Sequence, residues 1–131
     1  MNDEIGLWRY TIMVAEDFDD TRMMVRKMLE MYGYEVVEAA NGQEAVELVW
    51  QQCPDLILMD LNMPPLDGLA ATEQIRRCKK LCKNVTILAI TAHDTLGMKE
   101  AALEAGCDGY LTKPLDLDHL QKIIGRILVN E

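Results

Sequence analysis

The chain has 131 residues, half of them hydrophobic and 27% charged, which suffices for one domain with a sizeable core and not for two of ordinary size. Its formal net charge of −9 repels phosphate backbones and anionic lipid, so nucleic acid and membranes are excluded as expected partners. No apolar run approaches a membrane span, and Met1 to Tyr10 lacks the basic region and apolar core of a secretory signal.

Short apolar runs alternate with longer amphipathic ones. Tyr10 to Ala15 (YTIMVA) reads as a strand, being apolar and β-branched. Thr21 to Tyr32 reads as a helix with Met24, Met28, Met31 and Tyr32 on one face. Gly33 stands where a helix end favours a left-handed residue. Glu35 to Ala39 is a second strand. Asn41 with Glu44 three residues on begins a capping pattern, and the helix that follows turns Ala45, Leu48 and Val49 inward and stops before Pro54.

Asp55 to Asp60 (DLILMD) is a third strand, apolar enough to be buried on both faces. Asn62 to Gly68 is a loop by its prolines and glycine. The next helix places Ala71, Ile75, Cys78 and Cys82 on one face, and Arg76, Arg77, Lys79, Lys80 and Lys83 on the other. This basic run is read as a solvated face, with an acidic partner as the alternative. Val85 to Thr91 is a fourth strand. Asp94 is placed to cap a helix that packs Met98, Ala101, Ala102 and Ala105 and ends at Gly106. Gly109 to Thr112 is a short fifth strand, and a last helix from about Asp116 buries Leu117, Leu120, Ile124 and Ile127.

Cys53, Cys78, Cys82 and Cys107 lack the spacing of a zinc site and read as small buried hydrophobes in a reducing cytosol. The nine methionines read as core filler.

Five strands alternating with five helices imply an α/β fold with a doubly wound parallel sheet covered on both faces. The flavodoxin-like version of such a sheet has the order 2-1-3-4-5, adopted here as the expectation, and its ligands bind beyond the C-terminal strand ends. At those ends stand Glu16 and Asp17 after the first strand, Asp60 at the third, Thr91 at the fourth, and Lys113 and Pro114 after the fifth. Clustered carboxylates repel unless a cation compensates them. Mg²⁺ suits such a site, because it takes one or two carboxylates, keeps several waters and completes its octahedron with phosphate. Lys113 offers a point charge to a phosphate oxygen.

In these residues the sequence resembles the receiver domain of two-component response regulators, in particular the single-domain, chemotaxis-regulator-like kind. Glu16-Asp17, DLNMPPLDG from Asp60 to Gly68, Thr91-Ala92 and GYLTKP from Gly109 to Pro114 appear in family order, and the match covers nearly the whole chain from about Tyr10. The resemblance implies one receiver domain over 1–131, with its core at about 10–130 and no effector domain.

The resemblance also implies roles. Asp60 would take a phosphoryl group from the phosphohistidine of a histidine kinase or histidine phosphotransfer protein. Glu16, Asp17, Asp60 and the backbone carbonyl of Asn62 would hold Mg²⁺. Thr91 would hydrogen-bond the phosphoryl group and Lys113 would pair with it. Tyr110 would change rotamer with phosphorylation, and Pro114 would follow a cis peptide bond. The output would be a changed surface on the fourth helix, fifth strand and fifth helix. A cytoplasmic monomer or weak dimer is expected, which catalyses only its own phosphorylation and dephosphorylation.

Glu16 stands where the family more often has Asp, and Pro65 adds a second proline to the loop after Asp60. Asn62 and His93 stand two residues beyond the acceptor and the threonine, where the family implies control over the hydrolytic water. His93 is either that or a solvent-exposed loop histidine. A Mg²⁺-dependent phosphatase of the haloacid dehalogenase type is the competing reading. It needs a second Asp where this chain has Asn62, and a cap domain for which there is no room. A flavodoxin-type cofactor carrier needs a glycine- and hydroxyl-rich loop after the first strand, where this chain has Glu16-Asp17-Phe18-Asp19-Asp20. A pseudo-receiver would lack one of Asp60, Thr91 or Lys113, and all three are present.

Overall fold

A computed structural model describes residues 10–63, 67–78, 81–92 and 96–128. The strands are β1 (Thr11–Ala15), β2 (Glu35–Ala39), β3 (Leu56–Asp60), β4 (Thr86–Thr91) and β5 (Gly109–Thr112). The helices are α1 (Asp19–Met31), α2 (Gly42–Gln51), α3 (Gly68–Arg77), α4 (Leu96–Ala105) and α5 (Leu117–Leu128), with a 3-10 turn at Leu81–Asn84. Neighbouring strands are parallel, as the alternation predicts, and ordered β2-β1-β3-β4-β5, the order adopted from the flavodoxin-like sheet.

Period-two alternation sorts the strand side chains between two cores. Met13, Ala15, Ile57, Met59, Ile87 and Ala89 face α2, α3 and α4, meeting Val46, Val49, Ala71, Ile75 and Ala102. Ile12, Val14, Leu56, Leu58, Leu88 and Ile90 face α1 and α5, meeting Val25, Leu29, Leu120 and Ile124. β3 is buried at all five positions, as a strand covered on both faces must be. Among the described residues no helix is long and apolar enough to cross a membrane.

The helix ends follow local chemistry. Asn41 Oδ1 accepts the Glu44 N–H at 2.8 Å, and Glu44 reaches back to the Ala40 N–H at 2.7 Å. Asp67 caps α3 through the Ala70 N–H at 2.8 Å. Gly33 and Gly106 close α1 and α4 at φ of 96° and 116°. The expected cap at Asp94 lies outside the described residues.

Four expectations are corrected. The buried stripe of α1 is Val25 and Leu29, while Met24, Met31 and Tyr32 are exposed and Met28 is only partly covered. Methionine is common on both sides of this helix, so its spacing placed the apolar face one residue out of phase. α3 stops at Arg77 and does not continue to Cys82: Cys78 takes an extended conformation as the cap, and Cys82 belongs to the 3-10 turn. There the Cys82 thiol reaches the Val49 carbonyl at 3.3 Å, a tertiary contact that periodicity does not register. Cys82 and Cys107 are buried as expected, but Cys53 is exposed and Cys78 half-buried; all four thiols are free.

Arg76, fourth, is no part of a solvated face. Its Nε donates to the Gly106 carbonyl at 2.9 Å, Nη1 to the Val85 carbonyl at 2.7 Å and Nη2 to Asp108 Oδ2 at 2.9 Å. Asp108 Oδ2 also accepts the Ile87 N–H at 2.9 Å. One guanidinium thus joins α3, the end of α4 and the starts of β4 and β5. Lys79 and Lys80 of the same run lie outside the described residues. Arg76→Ala leaves two carbonyls and a carboxylate without this donor, and should cost about 2–3 kcal/mol. Arg76→Lys should recover less than half of that, because an ammonium lacks the planar fork. Urea denaturation with an unchanged m-value is the measurement.

Candidate functional site

Sheet register assembles the site. Ala15 lies opposite Met59, so the next residues, Glu16 and Asp60, meet at the ends of β1 and β3. Asp60 lies opposite Ile90 on its other flank, which brings Thr91 to the same edge. Thr91 lies opposite Thr112, so Lys113 follows at the end of β5, where its N–H donates to the Thr91 carbonyl at 2.8 Å. The Lys113–Pro114 peptide bond is cis.

Carboxylate oxygens of Glu16, Asp17 and Asp60 lie within 4.8 Å of one another. Asp60 and Glu16 are only 2% and 5% exposed, while Asp17 is exposed. Lys113 Nζ bridges the two buried acids, at 3.1 Å from Glu16 Oε1 and 3.3 Å from Asp60 Oδ2. The other oxygens accept backbone donors: Asp60 Oδ1 takes the Asn62 N–H at 3.0 Å, and Glu16 Oε2 takes the Phe18 N–H at 3.1 Å.

One ammonium does not neutralise three carboxylates. Burial pushes the Glu16 carboxyl up to about 7, and the charge of Asp60 adds to this, against the pull of the Phe18 N–H and Lys113. Burial alone would lower the pKa of Lys113, but Asp60 and Glu16 more than offset it and hold its charge on. The donor set is all oxygen, carries excess negative charge and opens to water at Asp17. That combination fits a hard divalent cation of the Mg²⁺ kind and lacks the sulfur or imidazole that zinc or copper favours.

The approach of α3 completes the crevice wall. A Cβ on Gly68 would press on the Asp60 carbonyl oxygen and lie 2.8 Å from Leu61 Cα, so only glycine lets the helix start this close to the acid. Thr91 is fully buried. Tyr110 is half-buried, packs with Met98 against the core under α4, and lines a cleft of about 370 Å³ with Pro114, His119 and Leu120. It is therefore not among the groups gathered around Asp60. His93 and Pro65 lie outside the described residues.

Sequence reading passed over two donors to this site. One is the Asn62 backbone N–H, invisible to any residue-type argument. The other is Arg22, whose Nη1 donates to the Glu16 carbonyl at 2.8 Å. The one signal for it was the Asp19–Arg22 spacing, which is more often a plain surface pair.

Comparison with known proteins agrees with this geometry. Residues 12–125 match the response regulator receiver domain family. The polar-differentiation response regulator DivK of Brucella anthropi is 33% identical over 107 residues, covering 82% of this chain and 86% of that protein. The receiver domain of the sensor histidine kinase PA1611 from Pseudomonas aeruginosa, solved with a magnesium ion coordinated in its active-site cleft, is 38% identical. It superposes with a TM-score of 0.82, covering 89% of this chain and 95% of that one. The receiver domain of a Saccharomyces cerevisiae response regulator, solved with a histidine phosphotransfer signalling protein, is 32% identical with a TM-score of 0.82, covering 89% and 87%. With its sheet order, its acidic crevice and these matches, the chain belongs to the response regulator receiver domains, the phosphoacceptor modules of two-component and phosphorelay signalling.

Proposed function

We propose that Asp60 is the phosphoacceptor, and that it takes the phosphoryl group from the phosphohistidine of a histidine kinase or a histidine phosphotransfer protein. The observation that carries this reading is the buried Asp60 carboxylate, held between Lys113 and two further acids at the open end of the sheet. A carboxylate oxygen of Asp60 forms the new bond to phosphorus as the bond from phosphorus to the imidazole nitrogen breaks, and that nitrogen keeps the electron pair. Such a transfer asks a protein mainly for position and positive charge. Glu16, Asp17, Asp60 and the backbone carbonyl of Asn62 would hold Mg²⁺, which when bound supplies positive charge to the phosphoryl oxygens. Lys113 turns from Asp60 Oδ2 to a phosphoryl oxygen, a charge-assisted contact.

The new phosphate draws the Thr91 hydroxyl towards it. Tyr110 then repacks, and the surface of α4, β5 and α5 changes, a two-state response to a local charge. Asn62 and His93, each two residues beyond a site residue in sequence, modulate the lifetime of the acyl phosphate. The chain catalyses these two steps on itself alone. A phosphatase acting on outside substrates has no support, since Asn62 offers an amide where such an enzyme needs an acid. The proposed compartment is the cytoplasm, which suits four free thiols.

Acetyl phosphate with Mg²⁺ should add one phosphoryl group by intact-mass spectrometry, and Asp60→Asn should add none; a full mass shift in the variant would mean another acceptor. Asp17→Ala should abolish Mg²⁺ binding in titration calorimetry, and because Asp17 is exposed the fold should be undisturbed. In metal-free buffer Asp60→Asn should stabilise the protein, since it removes one of three repelling charges and leaves the Lys113–Glu16 pair. The gain should be on the order of 1 kcal/mol, or about 4 °C in Tm for a domain of this size. A Tm at or below wild type would count against unrelieved repulsion at the site.

A further inference from the structure

Arg22 takes no part in the chemistry just described, yet its side chain is only 15% exposed and every arm of its guanidinium is engaged. Nη1 donates to the Glu16 backbone carbonyl at 2.8 Å, Nη2 to Asp19 Oδ1 at 2.7 Å and Nε to Glu38 Oε1 at 2.9 Å. The three acceptors belong to the β1–α1 turn, the first turn of α1, and β2. Glu38 is itself held by a close ion pair with Arg26, 2.8 Å from its Nε to Oε2.

The turn that Arg22 grips carries Glu16 and Asp17. The Glu16 N–H donates to the Ala39 carbonyl at 3.0 Å, so the Glu16 residue is tied to β2 on one side and to α1 on the other. The cap residue of α1, Phe18, supplies no side-chain bond and holds the turn only through its N–H, which donates to Glu16 Oε2 at 3.1 Å. From the structure we infer that Arg22 is a positioning residue for the metal site, fixing the β1–α1 turn so that the Glu16 and Asp17 carboxylates meet Asp60. This rests on the reading of that site given above.

The physical ground is the narrow tolerance of the ion. Mg²⁺ asks for a near-ideal octahedron at about 2.1 Å and adapts poorly to displaced ligands. Asp60 is fixed by β3, a strand buried throughout. Its two partners stand on a turn, and a shift of about an ångström there separates the ligands. Arg22 suits the task because its planar fork spreads donors over three nitrogens and so reaches acceptors on three separate elements, whereas a lysine gathers its donors on one nitrogen. A purely structural role, satisfying the Glu16 carbonyl, would lower stability alike with and without metal and leave the affinity of the folded protein unchanged.

The test is Mg²⁺ titration calorimetry on the full chain, at a temperature where circular dichroism shows every variant folded. Arg22→Ala should weaken Mg²⁺ binding about tenfold, the range seen for groups that orient metal ligands. Arg22→Lys should recover part of that loss. Glu38→Gln, which loosens Arg22 from its far side, should give a smaller loss in the same direction. In metal-free protein, amide exchange of residues 16–18 should quicken in the two Arg22 variants. Phosphorylation by acetyl phosphate should need more Mg²⁺ yet reach the wild-type maximal rate. Affinities within twofold of wild type in all three variants would overturn the inference, as would weaker binding with unchanged exchange at residues 16–18. Wild type that binds no Mg²⁺ would overturn the reading of the site and this inference with it.

Discussion

Three carboxylates within 4.8 Å of one another, two of them buried, face a single ammonium. That imbalance organises the molecule. Like charges at such distances in a half-dry crevice oppose folding, and they are held together by strands whose burial outweighs the repulsion. β3 illustrates the trade: Leu56, Ile57, Leu58 and Met59 are fully buried or nearly so, and they deliver Asp60 to the edge of the sheet. Lys113 relieves part of the repulsion, and the backbone N–H groups of Asn62 and Phe18 each take a remaining oxygen. The residual negative charge is what suits the crevice to a divalent cation. A site more fully compensated by protein groups would be more stable when empty and less able to respond.

The strands and the crevice were legible in the sequence because both depend on short-range signals. A run such as DLILMD, short, apolar and preceded by a proline, reads as a strand buried on both faces, and a polar residue at its end falls at the edge of the sheet. Alternation of strands and helices then fixes parallel pairing, and parallel pairing gathers Glu16, Asp60, Thr91 and Lys113 on one edge. The helix faces were less legible. α1 carries methionines on several sides, so composition could not tell that Val25 and Leu29 face the sheet. The end of α3 was missed because no proline or glycine marks it; the cue is the tertiary contact of Cys82 with Val49.

The two arginines show a deeper limit. Arg22 and Arg76 each sit in a charged stretch that any periodicity argument assigns to solvent, and each reaches backbone carbonyls far away in sequence or across a turn. A guanidinium on a long apolar stem covers hydrophobic surface while its fork satisfies buried acceptors. The carbonyls among its partners are main-chain atoms, which every residue possesses, so no pattern of side chains announces those contacts. Residue type marks where chemistry takes place more readily than where the chain is tied down.

These ties also decide which end of β5 answers to the site. At its start, the Asp108 N–H donates to the Ile87 carbonyl at 2.7 Å, and the Asp108 carboxylate is held by Arg76 and the Ile87 N–H. At its far end, the Lys113 N–H is bonded to the Thr91 carbonyl, while the Lys113 ammonium is held by Asp60 and Glu16. The first anchor is made of groups remote from the crevice and is indifferent to its charge. The second is made of the crevice charges themselves. A change of charge at Asp60 therefore alters the hold on one end of β5 and leaves the other fixed. Tyr110 lies between the two anchors, half-buried against the core that Met98 of α4 also packs on, and on the face away from Leu111. On the proposed switch, a strand pinned at one end and electrostatically held at the other would turn a change of local charge into a displacement that grows towards the crevice. An aromatic within it, packed on the same core as α4, is well placed to carry such a displacement towards that helix.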